Sequence, residues 1–140
     1  MFKTKRRHLT VLAVIYAAVA RFRIYFFPGS KLYRYLGERG TESPVEEIEA
    51  LEERRNIRYV AERVAGVARR VPWESKCLVQ AMVAQRLLRG YDMKSTLYLG
   101  VGRDEDENGK MIAHAWVRCG IYNVCGGTGE KYAIVATFVM

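Results

Sequence analysis

Two side chains in the 140-residue sequence are suited to nucleophilic catalysis, Cys77 and His114. The chain has two histidines, and His8 lies among like charges near the N-terminus, so His114 is the candidate imidazole base. Ser75 is a suitable N-cap residue, which would make Cys77 the second residue of a helix. Backbone amides at a helix N-terminus stabilise a thiolate and can receive an oxyanion. These residue types make Cys77 and His114 candidates for a thiol nucleophile and its general base, the alternative being a small core residue and a structural histidine.

One helix, one strand and one hairpin loop separate the two candidates. Leu78–Arg89 is apolar on nearly all sides, which is typical of a central helix. The hydrophobic period then changes to two, which predicts strands. This connection can bring the start of a helix against a strand face. The four predicted strands are Ser95–Val101, Met111–Arg118, Tyr122–Cys125 and Tyr132–Val139.

The first half of the chain is predicted to be helical. A short helix is expected at Lys31–Leu36. A second starts with Ser43 as N-cap, Pro44 at the first position and Glu46 three residues after the cap, and its apolar spacing continues to Pro72. Helices followed by an antiparallel sheet indicate an α+β fold. We expect a single domain, 1–140, with a helical part over 1–72 and a catalytic core over 73–140.

The positive charge is concentrated at the N-terminus. Residues 1–40 hold nine Lys/Arg and one acid, which accounts for the whole net charge of +8. Lys3–Arg7 followed by Leu9–Ala20 resembles a signal peptide, but the basic and aromatic run Arg21–Phe27 follows at once. We therefore interpret this segment as an amphipathic helix that docks on the body of the protein. A membrane surface or an acidic partner would suit this basic segment, residues 1–40. The sequence contains no groove-reading or base-stacking motif that would predict binding to a nucleic acid.

The three cysteines, Cys77, Cys119 and Cys125, contain no CxxC pair. They predict neither a disulfide framework nor a metal site, and a reducing, cytoplasmic location is expected. We expect no cofactor. Cys125 is predicted to lie across from Trp116 on the histidine's side of the sheet, which makes it a rival thiol. Because it has no helix N-terminus, we interpret it as a packing residue.

Three sequence blocks resemble a known family. They are Trp73-x-x-x-Cys77-Leu78-x-Gln80-Ala81, Ser95–Val101 and Ala113-His114-Ala115-Trp116-Val117. In this order they resemble the lasso-peptide leader peptidases, which belong to the transglutaminase-like, papain-related cysteine proteases. Val135–Phe138 is also similar. The resemblance implies a transglutaminase-like core in which His114 takes the proton of Cys77 and the thiolate attacks the scissile carbonyl.

The resemblance also implies a function and partners. The family removes the leader from a ribosomally made precursor, after which a separate ATP-using cyclase closes the macrolactam. The chain resembles the stand-alone peptidase, whose expected partners are the precursor peptide, a separate leader-recognition protein and the lasso cyclase. Two other functions stay open: a transglutaminase-like acyl transferase, and a non-catalytic module that binds a leader or a membrane.

The third member of a catalytic triad is not evident. Relatives with a clear triad place an Asp shortly after the His-Ala-Trp strand, but Tyr122–Gly127 contains no acid. With a two-residue turn at Gly120-Ile121, Asn123 shares the face of His114 but lies two pairs away from it. Glu130, Thr128 or a backbone carbonyl are the alternatives for orienting the imidazole.

Overall fold

The described part of the chain runs from helices into an antiparallel sheet. A computed structural model describes residues 11, 13–20, 36–70, 77–104, 109–127 and 129–140. The helices are α1 (residues 13–20), α2 (Leu51–Arg70) and α3 (Cys77–Gly90). The strands are β1 (Glu38–Arg39), β2 (Thr96–Asp104), β3 (Lys110–Cys119), β4 (Tyr122–Cys125) and β5 (Ala133–Val139). This order confirms the predicted α+β fold.

The sheet has five strands in the described residues, in the order β1-β5-β2-β3-β4, and each pair is antiparallel. The prediction of four strands was therefore one too few. The additional strand, β1, pairs Glu38 with Val139 and Arg39 with Phe138. A strand of two residues is too short to show an alternating pattern of polar and apolar side chains. Only its backbone pairing with β5 defines this edge strand.

The register of β2 against β3 gives the sheet two different faces. Tyr98 lies opposite Trp116, and Gly100 lies opposite His114. Successive side chains of a strand point to opposite faces. Ala115 therefore faces the helices together with the core residues of the sheet, whereas His114 and Trp116 lie on the other face.

Helix α3 lies at the centre of the hydrophobic core, as its apolar composition predicts. It packs against β3 and α2. The core also includes residues from the sheet, which shows that the helices cover one face of it. The core residues of α3 and the sheet are Val79, Ala81, Met82, Val83, Ala84, Leu87, Leu88, Leu97, Ala115, Val117, Cys119, Val124 and Phe138.

The predicted N-cap at Ser43 was wrong, because α2 begins only at Leu51. The Ser43 amide donates a hydrogen bond to Thr96 Oγ1 at 2.8 Å, and the two hydroxyls lie 2.7 Å apart. Arg118 Nη2 also donates to the Ser43 carbonyl oxygen at 2.7 Å. Ser43 is buried, so these hydrogen bonds to β2 and β3 prevail over the local capping signal.

Helix α1 docks on the body through small residues, in agreement with the predicted docked helix. Ala13, Ala17 and Ala20 are buried in the core at helical spacing. In the described ranges, we find no helix with the length and apolarity needed to cross a bilayer. The Arg21–Phe27 run and all but the last residue of the predicted helix Lys31–Leu36 lie outside the described residues.

Candidate active site

Cys77 is the first residue of helix α3 and is half-buried against the hydrophobic core. The first amides of a helix have no partner inside it, and they carry the positive end of its dipole. The first turn of α3 contains no acidic side chain that would compete with a thiolate for those amides. The predicted cap Ser75 and the neighbouring Trp73 lie outside the described residues.

The ring of His114 is held among aromatic side chains on the face of β3 that points away from the helices. It stacks on Tyr132, with the ring centroids 4.6 Å apart and the planes 24° apart. The ring of Trp116 lies 6.1 Å away on the same face, and it stacks on Tyr98 at 5.3 Å. These contacts restrict the position of the imidazole.

A backbone carbonyl orients the imidazole. The Nε2 atom of His114 lies 2.7 Å from the carbonyl oxygen of Gly126. A carbonyl accepts a hydrogen bond, so Nε2 carries the proton in this pair. Of the alternatives left open by the sequence, the structure therefore shows a backbone carbonyl as the hydrogen-bond partner of the ring. Asn123 lies opposite Arg118 rather than His114, and Thr128 lies outside the described residues.

Gly126 reaches this position because it has no side chain. Its φ is 81°, in the left-handed region that favours glycine. A Cβ at this residue would collide with the carbonyl oxygen of Ala115 and would lie 2.7 Å from Trp116 Cβ. The sequence reasoning did not single out Gly126. The available signal was a Gly-Gly pair directly after a strand, which indicates a close approach of two backbone segments.

The structure corrects the predicted position of Cys125. A register shift lies between Val117 and Arg118, and it pairs Cys125 with Val117 instead of Trp116. A shift of one residue moves a side chain to the other face of a sheet. Cys125 therefore packs against the core and does not share the face of His114.

Burial makes two of the three thiols poor nucleophiles. It raises the pKa of Cys125 from 9.0 to about 12. Burial, followed by the negative charge of Glu53, raises the pKa of Cys119 from 9.0 to about 11. The Cys119 thiol also donates to the carbonyl oxygen of Lys94 at 3.4 Å. Both thiols are protonated at neutral pH, and thiols react chiefly as thiolates.

Each of the two predicted site residues interacts with the end of β4. Cys77 is close enough to Cys125 to contribute electrostatically to its raised pKa. Gly126 follows Cys125 in the chain and bonds to His114. Within the described residues, no hydrogen bond joins the Cys77 thiol directly to the His114 ring. The structure thus brings each residue to the same short segment, Cys77 from the core side and His114 from the opposite face.

Arg118 is a second residue that sequence reasoning did not single out. Its guanidinium donates to the Tyr98 hydroxyl at 2.9 Å and to the Gly120 carbonyl oxygen at 2.7 Å. It also donates to the carbonyl oxygens of Ser43 and Pro44. Arg118 thereby ties the segment before α2 to the strand that carries His114.

Comparison with known proteins assigns the family. No curated protein and no solved structure matches the chain. The family model described as "Transglutaminase-like superfamily" matches residues 17–137, a range that contains Cys77, His114 and Gly126. Such domains are typically cysteine-dependent enzymes. Because the match covers most of the sequence, the chain belongs to the transglutaminase-like superfamily.

Proposed function

We propose that the protein is a cysteine peptidase that removes the leader from a ribosomally synthesised lasso-peptide precursor. Cys77 is the nucleophile and His114 the general base. The observation that carries this proposal is the position of Cys77 at the start of α3, in a family of cysteine-dependent enzymes. The raised pKa values of Cys119 and Cys125 support the same choice of nucleophile.

The ring nitrogens of His114 have different roles in this proposal. Nε2 donates to the Gly126 carbonyl oxygen, so we assign Nδ1 as the nitrogen that accepts the proton of the Cys77 thiol. The proposal requires that precursor binding bring the thiol and Nδ1 into contact, because the described residues show no hydrogen bond between them and the two side chains reach the end of β4 from opposite faces of the sheet.

The reaction then follows thiol acyl chemistry. The Cys77 sulfur forms a bond to the scissile carbonyl carbon, and the amides at the start of α3 receive the negative charge on the oxygen. The C–N bond breaks as the His114 imidazolium gives its proton to the leaving amine. Water, deprotonated by His114, then attacks the thioester, which releases the leader as a carboxylic acid and restores the thiol.

The proposal also covers the cellular location of the reaction and the partner proteins. The precursor is presented by a separate leader-recognition protein in the cytoplasm, and a lasso cyclase uses the released core peptide. The sequence blocks around Cys77 and His114 support this assignment, because together they resemble the leader peptidases of that biosynthesis.

The test mixes the protein with a precursor peptide and its recognition protein and measures leader release by mass spectrometry. Cys77→Ala and His114→Ala should abolish release while the far-UV circular dichroism spectrum is unchanged. Cys125→Ala is the matched control, because it removes the neighbouring thiol and should retain most of the activity. Cleavage that survives Cys77→Ala would refute the proposal.

An acyl transferase is the second candidate, because the superfamily includes such enzymes as well as peptidases. The two reactions share the thioester and differ only in the acceptor. Product mass separates them when a primary amine is added to the assay: hydrolysis leaves a free carboxyl group on the leader, whereas transfer leaves an amide. A non-catalytic binding module would leave the precursor intact.

A further inference from the structure

Helix α1 and the helical residue Val11 before it present a stripe of large aliphatic side chains to solvent. Val11, Val14, Ile15 and Val19 are 56%, 36%, 50% and 37% exposed. Their spacing of three, four and eight residues from Val11 places them along one side of a helix. The described part of the helix thus buries alanines, with Tyr16 partly buried beside them, and exposes three valines and an isoleucine, whereas a helix that serves only the core would bury such aliphatic side chains.

The stripe lies within a strongly basic, acid-free part of the sequence. Residues 1–37 contain no Asp or Glu, and eight Lys/Arg flank the stripe on both sides. Residues 11–20 themselves carry no charge. An aliphatic stripe between two cationic segments is the pattern of a helix that lies at the surface of an anionic membrane.

We propose that α1 binds the surface of an anionic lipid bilayer, with the stripe Val11, Val14, Ile15 and Val19 inserted between the headgroups. Aliphatic side chains need no hydrogen-bonding partner there, and lipid phosphates neutralise the flanking cations. Because the stripe covers one side of α1 while Ala13, Ala17 and Ala20 on the other side pack against the body, the helix lies in the plane of the membrane.

The charge distribution favours a bilayer over a second copy of the chain. If two copies paired through this stripe, they would bring two acid-free basic segments together, and like charges would repel. The docking of α1 through Ala13, Ala17 and Ala20 also leaves the stripe available without detachment from the body. This proposal is independent of the proposed peptidase activity.

The test measures sedimentation of the full chain with phosphatidylcholine vesicles, with and without phosphatidylglycerol. We expect binding only to vesicles that contain phosphatidylglycerol, and a steep decrease as salt increases. The double substitution Val11→Ser with Ile15→Ser should lower the partition coefficient about tenfold, because two aliphatic side chains lose their burial. Arg6→Gln with Arg7→Gln should lower it for the anionic vesicles.

The matched control is Ile134→Ser with Val135→Ser on β5, which removes aliphatic side chains of similar exposure elsewhere on the surface. This control should bind vesicles as the unmodified protein does. Absence of binding to anionic vesicles, or equal losses in the control and stripe variants, would overturn the proposal. Gel filtration provides a further check: dissociation of an oligomer by the stripe substitutions would assign the stripe to a second copy instead.

Discussion

The Nε2 atom of His114 is 2.7 Å from the carbonyl oxygen of Gly126, so a backbone group is the hydrogen-bond partner of this ring nitrogen. The carbonyl fixes the tautomer and orientation of the ring, as a carboxylate would, but it brings no full negative charge. Because the acceptor is backbone, the path of the chain at residue 126 controls the imidazole.

Gly126→Ala should therefore reduce leader release by at least about tenfold. Its Cβ would meet Ala115 and Trp116, so the carbonyl must move away from His114. Gly127→Ala is the matched control, because its φ of 75° carries a similar backbone strain but nothing lies within 4 Å of its Cβ. Both variants should lose about 1 kcal/mol of stability from the left-handed conformation. Equal activities of the two variants would argue against the role of the carbonyl.

Substitution of the polar side chains that follow β3 in the chain should have little effect. Glu130→Gln and Asn123→Ala change exposed residues, and surface substitutions of this kind alter stability by about 0.5 kcal/mol or less. We expect kcat/KM for leader release to stay within about twofold of the unmodified protein, which corresponds to a similarly small energy. A hundredfold decrease in either variant would identify that side chain as the orienting group.

The buried thiols should make the protein less stable at alkaline pH. The folded-state pKa values of Cys119 and Cys125, about 11 and about 12, exceed the ordinary value of 9.0. The unfolded chain therefore loses these protons first, and the stabilisation present below pH 9 is lost as pH rises towards 11–12. Melting temperatures measured from pH 8 to pH 11 should fall less steeply in Cys125→Ala than in the unmodified protein. Parallel slopes would contradict the assigned pKa.

Arg118→Ala should destabilise the fold by about 2–4 kcal/mol, because it removes several hydrogen bonds to a charged group and leaves buried acceptors without a partner. The measurement is thermal unfolding, with an expected decrease in Tm of roughly 10 °C. Arg58→Ala on the exposed side of α2 changes the net charge equally and serves as the control. Arg118→Lys should restore only part of the loss, since a lysine cannot reproduce the planar fork. An unchanged Tm in Arg118→Ala would contradict this account.

The elements that depend on local pattern could be predicted from the sequence. The apolar composition of α3, the period-two strands and the two-residue turn at Gly120-Ile121 each act over a few residues. They predicted the pairing of Cys119 with Tyr122, which the structure confirms. The motif blocks around Cys77 and His114 likewise predicted membership in the transglutaminase-like superfamily, because they are contiguous in the chain.

The remaining features required the tertiary structure. Ser43 carries a capping signal, but its hydrogen bonds to Thr96 and Arg118 involve residues more than fifty positions away. The face occupied by Cys125 depends on one register shift in the β3–β4 pair, and the partner of His114 depends on how closely Gly126 approaches β3. The sequence by itself determined the candidate nucleophile and base, whereas long-range backbone contacts decided which groups surround them, since such contacts leave no periodic signal along the chain.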